Sequence, residues 1–308
     1  MRHATRSQHG CLEVVRTVSD LRAALARHRA AQRRIALVPT MGALHEGHLS
    51  LIRHARAHAD VVVVSLFVNP SQFNERADLD SYPRSERRDA QLAEVAGADV
   101  LFAPSVEEVY PPGFATSVEV LGLTDRLEGE SRGSAHFRGV TTVVTKLLCM
   151  ALPDVAYFGQ KDAQQLVVIR RLVADLNLPV RVEALPTVRE ADGLAMSSRN
   201  RLLSDDERSR AAAIPAALAA AERAVAAGEI AADALTRAAS DTLAAAGLEP
   251  EYVAVADPET LEPLRTLQAG ALLLVAVRVG SVRLIDSVTL EPNAVGSCSH
   301  TIQGGALA

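Results

Sequence analysis

Short apolar, β-branched runs recur along the first part of the chain at 33–40 (RRIALVPT), 60–70 (DVVVVSLFVNP), 98–104 (ADVLFAP), 154–159 (DVAYFG) and 180–186 (VRVEALP). Segments with helical spacing separate them at 47–58, 86–96, 138–151 and 162–176. A continuous apolar run is what a parallel strand covered on both faces needs, because residues of both parities are then buried. Strand and helix in alternation predict an α/β fold with a doubly wound, Rossmann-like parallel sheet, in which 33–40 is the first strand. After Pro186 the order changes. One long alanine-rich helix is expected over 204–228, where Ser204 and Glu207 have capping-box spacing, and a second over about 231–246. Strand-like runs at 251–257, 272–280 and 283–290 follow. The pattern therefore divides the chain into a Rossmann-like domain (12–187) and a smaller α+β domain (188–291), with flexible tails at 1–11 and 292–308.

Composition narrows the function classes. The chain has 308 residues, 48% hydrophobic and 22% charged, with a net charge of −5. That balance gives no broad basic surface for nucleic acid or an anionic membrane, so neither is expected as a partner. Cys11, Cys149 and Cys298 are odd in number and far apart, which argues against a disulfide framework or a zinc cluster. The opening segment MRHATRSQHGC lacks the apolar core of a secretory signal, and no run approaches the roughly 18–20 apolar residues of a spanning helix. A cytoplasmic protein is expected. The chain has two lysines, Lys146 and Lys161.

The most informative segment is Pro39-Thr40-Met41-Gly42-Ala43-Leu44-His45-Glu46-Gly47-His48, placed between a strand and a helix at the carboxyl edge of the sheet, where such folds bind ligands. Its glycines permit close backbone approach, and amides at a helix start suit phosphate. Histidines three apart can face one ligand and stabilise charge on a leaving pyrophosphate. The zinc-helix motif spaces its histidines four apart with glutamate directly after the first, so a metal pair is disfavoured. The segment is neither a P-loop nor a GxGxxG turn.

Three further clusters share that edge. Phe158-Gly159-Gln160-Lys161-Asp162 follows a strand, so Lys161 can reach phosphate and Asp162 a ribose hydroxyl or hydrated Mg²⁺. Met196-Ser197-Ser198-Arg199-Asn200 follows the loop 186–193 and offers hydroxyls, amides and a guanidinium in a mobile loop able to close over a triphosphate. Asn69-Pro70-Ser71-Gln72-Phe73 and Gln164-Gln165 supply amides that suit a substrate with hydroxyls and a carboxylate.

VPTMGALHEGHLSLI, FVNPSQF, HFRGVTTVVTKLL and PTVREADGLAMSSRNRLL, in this order, resemble the pantothenate synthetase family within the HxGH nucleotidyltransferase superfamily. The resemblance spans about residues 12–291 and implies an ATP-dependent ligase. In that reaction pantoate is adenylated with release of pyrophosphate, and β-alanine then displaces AMP to give pantothenate. By the same resemblance Met41, Gly42, Ala43, Leu44, His45, Glu46, Gly47 and His48 form the ATP loop, with His48 as proton donor and His45 assisting. Gly159, Gln160, Lys161, Asp162, Val188, Met196, Ser197, Ser198 and Arg199 supply the other ATP contacts, and Lys161 joins the histidines in catalysis. Gln72 and Gln165 hold pantoate, and Gln72 also borders β-alanine; Asn69, Arg132 and His136 are neighbours. Mg²⁺ arrives with ATP, and a homodimer is implied. Two departures stand out. Gln160 and Ala163 replace the family's usual Glu and Tyr, so altered kinetics are expected, with restoration raising turnover. Ser287 follows Asp286 where asparagine is familiar, a position read as peripheral to the chemistry. An adenylyltransferase releasing its nucleotidylated product, or an ATP-binding protein with a decayed site, are the competing readings.

Overall fold

The computed structural model describes residues 11–74 and 76–292. Apart from Cys11 and Pro292, the expected tails lie outside these residues, as does Cys298. The first half builds β1 (Glu13–Val15), α1 (Val18–Ala30), β2 (Ile35–Thr40), α2 (Glu46–His58), β3 (Val61–Leu66), α3 (Arg76–Ser81), α4 (Glu86–Ala96), β4 (Val100–Phe102) and the short α5 (Val106–Val109). It continues with α6 (Glu128–Arg132), α7 (Ser134–Ala151), β5 (Val155–Gly159), α8 (Ala163–Asp175) and β6 (Arg181–Leu185).

These six strands form one sheet in the order β1-β4-β3-β2-β5-β6, and every neighbouring pair is parallel. The run 33–40 is thus the second strand: β1 and α1 precede it and add an edge beside β4. Alternate residues serve opposite layers. Ile35, Leu37, Val61, Val63, Val100 and Phe102 pack with Leu21 and Leu25 of α1 and Val140, Val144 and Leu147 of α7. Ala36, Val38, Val62, Val64 and Leu101 pack with Leu49, Ile52 and Ala55 of α2 and Ala93 and Ala96 of α4. Burial of both parities explains the unbroken apolar runs.

The remainder forms α9 (Asp205–Ala211), α10 (Ala213–Ala226) and α11 (Ala232–Ala245), then β7 (Pro250–Ala256), β8 (Ala271–Val279) and β9 (Val282–Leu290) in an antiparallel sheet ordered β7-β8-β9. The single helix expected over 204–228 is divided at Ala212. Pro215 is the reason: with no N–H it cannot bond the carbonyl four residues back, yet it fits the first turn of a new helix. The Ser204–Glu207 capping box does form. Ile214, Leu218, Leu235 and Leu243 of α10 and α11 cover Leu273, Val275 and Val277 of β8.

Strand order reverses between β2 and β5: the chain steps outward through β3 and β4 on one side and through β6 on the other. The loops leaving β2 and β5 therefore diverge and leave a crevice at the carboxyl ends of the strands.

Candidate active site

The loop after β2 is held from behind. Gly42 (φ 90°) and Ala43 (φ 51°) are left-handed, and the turn they make aims successive amides away from the crevice. The Gly42 N–H donates to Thr40 Oγ1 at 3.2 Å. The Ala43 and Leu44 N–H groups donate to Oδ2 and Oδ1 of Asp89, each at 2.9 Å. Asp89, on α4, is 2% exposed, so its charge is satisfied almost wholly by this loop. The amides of Gly42, Ala43 and Leu44 are thus taken up within the loop, and none of these three residues lines the crevice, although the ligase resemblance assigns them to the ATP loop. Glu46 also faces away, exposed and paired with Arg53.

His45 and His48 do converge on the crevice, with ring centroids 4.1 Å apart. Gly47 makes this possible, since a Cβ there would lie 3.0 Å from Cε1 and Nδ1 of His45. The His45 N–H points at Nδ1 of His48 at 3.4 Å, which assigns the His48 proton to Nε2. His45 Nδ1 is buried without a hydrogen-bond partner. His48 keeps some exposed surface but is ringed by protein; burial, then the nearby His45 and Lys161, lower its pKa to about 3. Burial, Lys161 and Arg201 lower His45 to about 4. Both imidazoles are neutral at physiological pH and act as hydrogen-bonding groups.

Across the switch point, the turn 160–162 after β5 presents Lys161. Its Nζ donates to the Met196 carbonyl at 3.1 Å, and burial, despite Asp162 and Asp286, lowers its pKa. The segment expected to close over a triphosphate is bonded into the cleft wall at both of its ends. Met196 N–H bonds Val188 O (2.9 Å), and Arg189 pairs with the buried Asp286 on β9 (2.6 and 3.2 Å). Asn200, itself buried, donates to Glu190 Oε1 (2.5 Å) and Ala195 O (3.1 Å). Ser287 is also no bystander: it is buried, and its hydroxyl donates to Gln160 O at 3.2 Å, with Lys161 O at 3.5 Å. Position 287 thus braces the lysine turn, correcting its reading as peripheral.

Together these elements enclose a cleft of about 1040 Å³. A model of the family described as "Pantoate-beta-alanine ligase" matches residues 13–289. The chain belongs to the pantoate–β-alanine ligase family. It is 52% identical over 275 residues to the pantothenate synthetase of Cereibacter sphaeroides, covering 89% of this chain and 98% of that one. To the pantothenate synthetase of Moorella thermoacetica it is 50% identical over 283 residues, 92% of this chain and 100% of the relative. Among solved structures, pantothenate synthetase from Thermus thermophilus superposes with a TM-score of 0.85 at 47% identity, covering 90% and 98% of the two chains. Pantoate–β-alanine ligase from Francisella tularensis, complexed with β-γ ATP and β-alanine, gives 0.74 at 34% identity, covering 90% and 97%.

Of the residues expected from the ligase resemblance, Met41, His45, Gly47, His48, Gln72, Gly159, Lys161, Asp162, Gln165, Val188, Met196, Ser197, Ser198 and Arg199 line this one cleft, as do Arg132 and His136. Gln160 is exposed and outside it. Asn69 is buried behind Gln72. The second sheet supplies a wall that the ligase motifs did not reveal: Glu251 and Tyr252 of β7, Arg278 of β8, and Arg283, Asp286 and Ser287 of β9. Glu128 of α6 joins that wall to the helices of the first domain through both Nη atoms of Arg283 (2.7 and 2.8 Å) and the Tyr252 hydroxyl (2.8 Å). Arg283 and Glu128 lie 155 positions apart in the sequence, and no local signal pairs them.

Proposed function

We propose that the chain condenses pantoate with β-alanine at the expense of ATP, through a pantoyl adenylate formed in the cleft at the switch point. The observation that carries this reading is the convergence there of two neutral imidazoles, a desolvated lysine and the amides of Gln72 and Gln165. A carboxylate becomes a competent acyl donor once its oxygen is part of a phosphoanhydride. The pantoate carboxylate attacks the α-phosphorus and pyrophosphate departs; the free amine of β-alanine then attacks the activated carbonyl and AMP departs. No protein nucleophile is needed, so catalysis rests on positioning and charge stabilisation.

In this reading Gln72 and Gln165 hold pantoate, with Gln72 also bordering β-alanine. Nε2–H of His48 donates to the phosphates, and a bound polyphosphate pulls its pKa upward toward proton-donor range. His45 and Lys161 share the developing charge. Gly159, Asp162, Val188, Met196, Ser197, Ser198 and Arg199 flank the nucleotide. Gly42, Ala43, Leu44 and Glu46 act through the shape of their loop. Mg²⁺ is read as a companion of the ATP phosphates that would neutralise their charge, with Asp162 at the cleft wall able to hold its hydration shell. Residues 12–187 act as the nucleotide and pantoate domain and 188–291 as the lid. The chain is further read as a cytoplasmic homodimer on its family resemblance, which light scattering checks.

The test is pyrophosphate release with ATP, Mg²⁺ and pantoate, with and without β-alanine, and mass analysis of products. Pantoate-dependent release, with pantothenate and AMP only when β-alanine is present, is the expected result. A stable adenylated product indifferent to the amine would favour an adenylyltransferase instead.

A further inference from the structure

His136 stands in the first turn of α7 and lines the cleft, yet transfer of the adenylyl group gives it no part. Its ring is set by the packing of α7 on the turn 70–72. Gly139, one turn further on, permits that approach, because a Cβ there would lie 2.3 Å from the Ser71 carbonyl oxygen. Nδ1 of His136 then lies 2.7 Å from the Gln72 carbonyl, which can only accept, so Nδ1 carries the proton and Nε2 the lone pair. Burial, then Arg132, lower the pKa of the ring to about 4, against the Gln72 carbonyl, Glu128 and Asp162, which raise it. The imidazole is therefore neutral at physiological pH, with its lone pair available. The carboxylates of the second wall are already engaged. Glu128 holds Arg283, Arg132 and Tyr252, Glu251 holds Arg283 and Arg278, and Asp286 holds Arg189.

We propose that His136 is the general base of the second half-reaction, its Nε2 taking the proton that the β-alanine nitrogen sheds as it bonds to the pantoyl carbonyl. The proposal rests on the reading of the cleft as an amide-forming ligase site, in which Gln72, tied to His136 through its carbonyl, borders β-alanine. A free amine that adds to a carbonyl becomes positively charged and far more acidic than the amine alone, and the adduct reverts unless that proton leaves. The nitrogen lone pair forms the C–N bond, one N–H proton passes to Nε2, and the C–O bond to the phosphate breaks with its electron pair departing on AMP. The imidazolium is held by the Gln72 carbonyl at Nδ1 and favoured by Glu128, Asp162 and the adenylate phosphate, and it returns its proton to solvent. A weak base suffices because its partner is the acidic adduct rather than a free ammonium.

The experiment compares His136→Gln with wild type in each half-reaction. Glutamine can still donate to the Gln72 carbonyl but cannot take up a proton. Adenylation is followed by pantoate-dependent exchange of labelled pyrophosphate into ATP. Amide formation is followed by rapid quench of enzyme preloaded with pantoate and ATP and mixed with β-alanine or with hydroxylamine, a less basic amine whose adduct loses its proton to water. His136→Gln should slow capture by β-alanine about 100-fold, the scale of one general base, and slow exchange far less. Hydroxylamine should react with both proteins at similar rates. Equal slowing of exchange and capture would reduce His136 to a structural prop, and an unimpaired capture step, or a hydroxylamine reaction slowed as much as that of β-alanine, would overturn its role as a base. If wild type shows no pantoate-dependent exchange, the ligase reading fails instead.

Discussion

Replacing Arg283 with methionine isolates the contact that ties the second sheet to α6 across the cleft. The guanidinium is 12% exposed and the Glu128 side chain 8%, so their bidentate pair is shielded from solvent screening. Arg283→Met also removes a 2.7 Å bond to Glu251 and a 2.9 Å bond to Ser131 Oγ. Glu128 would retain Arg132 Nε at 3.0 Å and the Tyr252 hydroxyl at 2.8 Å. Removing one member of a buried pair costs about 3–5 kcal/mol when the other is stranded. Two surviving donors put the expected loss at the lower end, about 3 kcal/mol. Adding Glu128→Gln removes the stranded charge, so the double variant should recover about 2 kcal/mol of it. Denaturant unfolding of the four proteins in the cycle measures both quantities. The pH dependence is a second check. Burial raises the Glu128 pKa, but the hydrogen bonds and charge of Arg283, with Arg132 and Tyr252, lower it further, and the net shift is downward. A depressed carboxyl contributes stability above its unfolded pKa and loses it as pH falls through the folded value. Without Arg283 the balance tips toward burial, so the cost of the substitution should shrink on acidification as Glu128 takes a proton. A loss below about 1 kcal/mol, or single effects that simply add, would refute this account of the contact.

Four other outcomes are expected. His48→Ala should fold normally and slow pyrophosphate release at least about 100-fold, the scale of one transition-state donor; a wild-type rate would remove His48 from the chemistry. Asp89→Asn can accept only one of the two loop amides well, so it should lower the melting temperature and weaken ATP binding together, which calorimetry would show. Ala163→Tyr should lower turnover, contrary to the expectation from sequence. Ala163 is 6% exposed and packed against Ala256 and Leu274 with Tyr252 beside them, and overpacking such a contact costs about 1–3 kcal/mol. The histidines set an acid limit: the folded pKa values of His45, His48 and His136, about 4, 3 and 4, lie below the ordinary 6.5. The unfolded chain therefore binds protons first, and stability of the free protein should decline as pH drops from 6.5 toward 4. A melting temperature flat across that range would contradict their burial as neutral rings.

What could be read from the sequence follows the range of the forces involved. The runs at 60–70 and 33–40 announced central parallel strands because both of their faces are buried, and that demand is local. The edge strand β1 has three residues with two exposed, and so left no comparable trace. The division at Ala212 did have a signal, Pro215, which the strong alanine periodicity on either side obscured. Motif residues gathered in the cleft because they leave β2, β3, β5 and β6 at the same edge of one parallel sheet. Within the motif, however, spacing did not distinguish side chains that face the cleft from those that build its loop. That depended on Asp89, 45 residues away from Leu44 and on another helix, taking the amides. The same holds for Ser287 and Arg283, whose roles exist only once β9 lies against the turn at 160–162 and against α6.

A chain of net charge −5 has no general attraction for a polyanion, so the cleft must generate it locally. The most conspicuous guanidinium in the wall, Arg283, is already neutralised by Glu128 and Glu251, and Arg132 also leans on Glu128. The responsive groups are those that burial has pushed toward neutrality: His45, His48 and Lys161. Desolvation holds all three pKa values down, and Lys161 adds to it at both histidines. In the proposed reading, the negative charge of a triphosphate among them opposes that desolvation and favours the charged forms of the imidazoles. The burial that keeps the two imidazoles neutral thus also leaves them responsive to the charge of an anionic ligand.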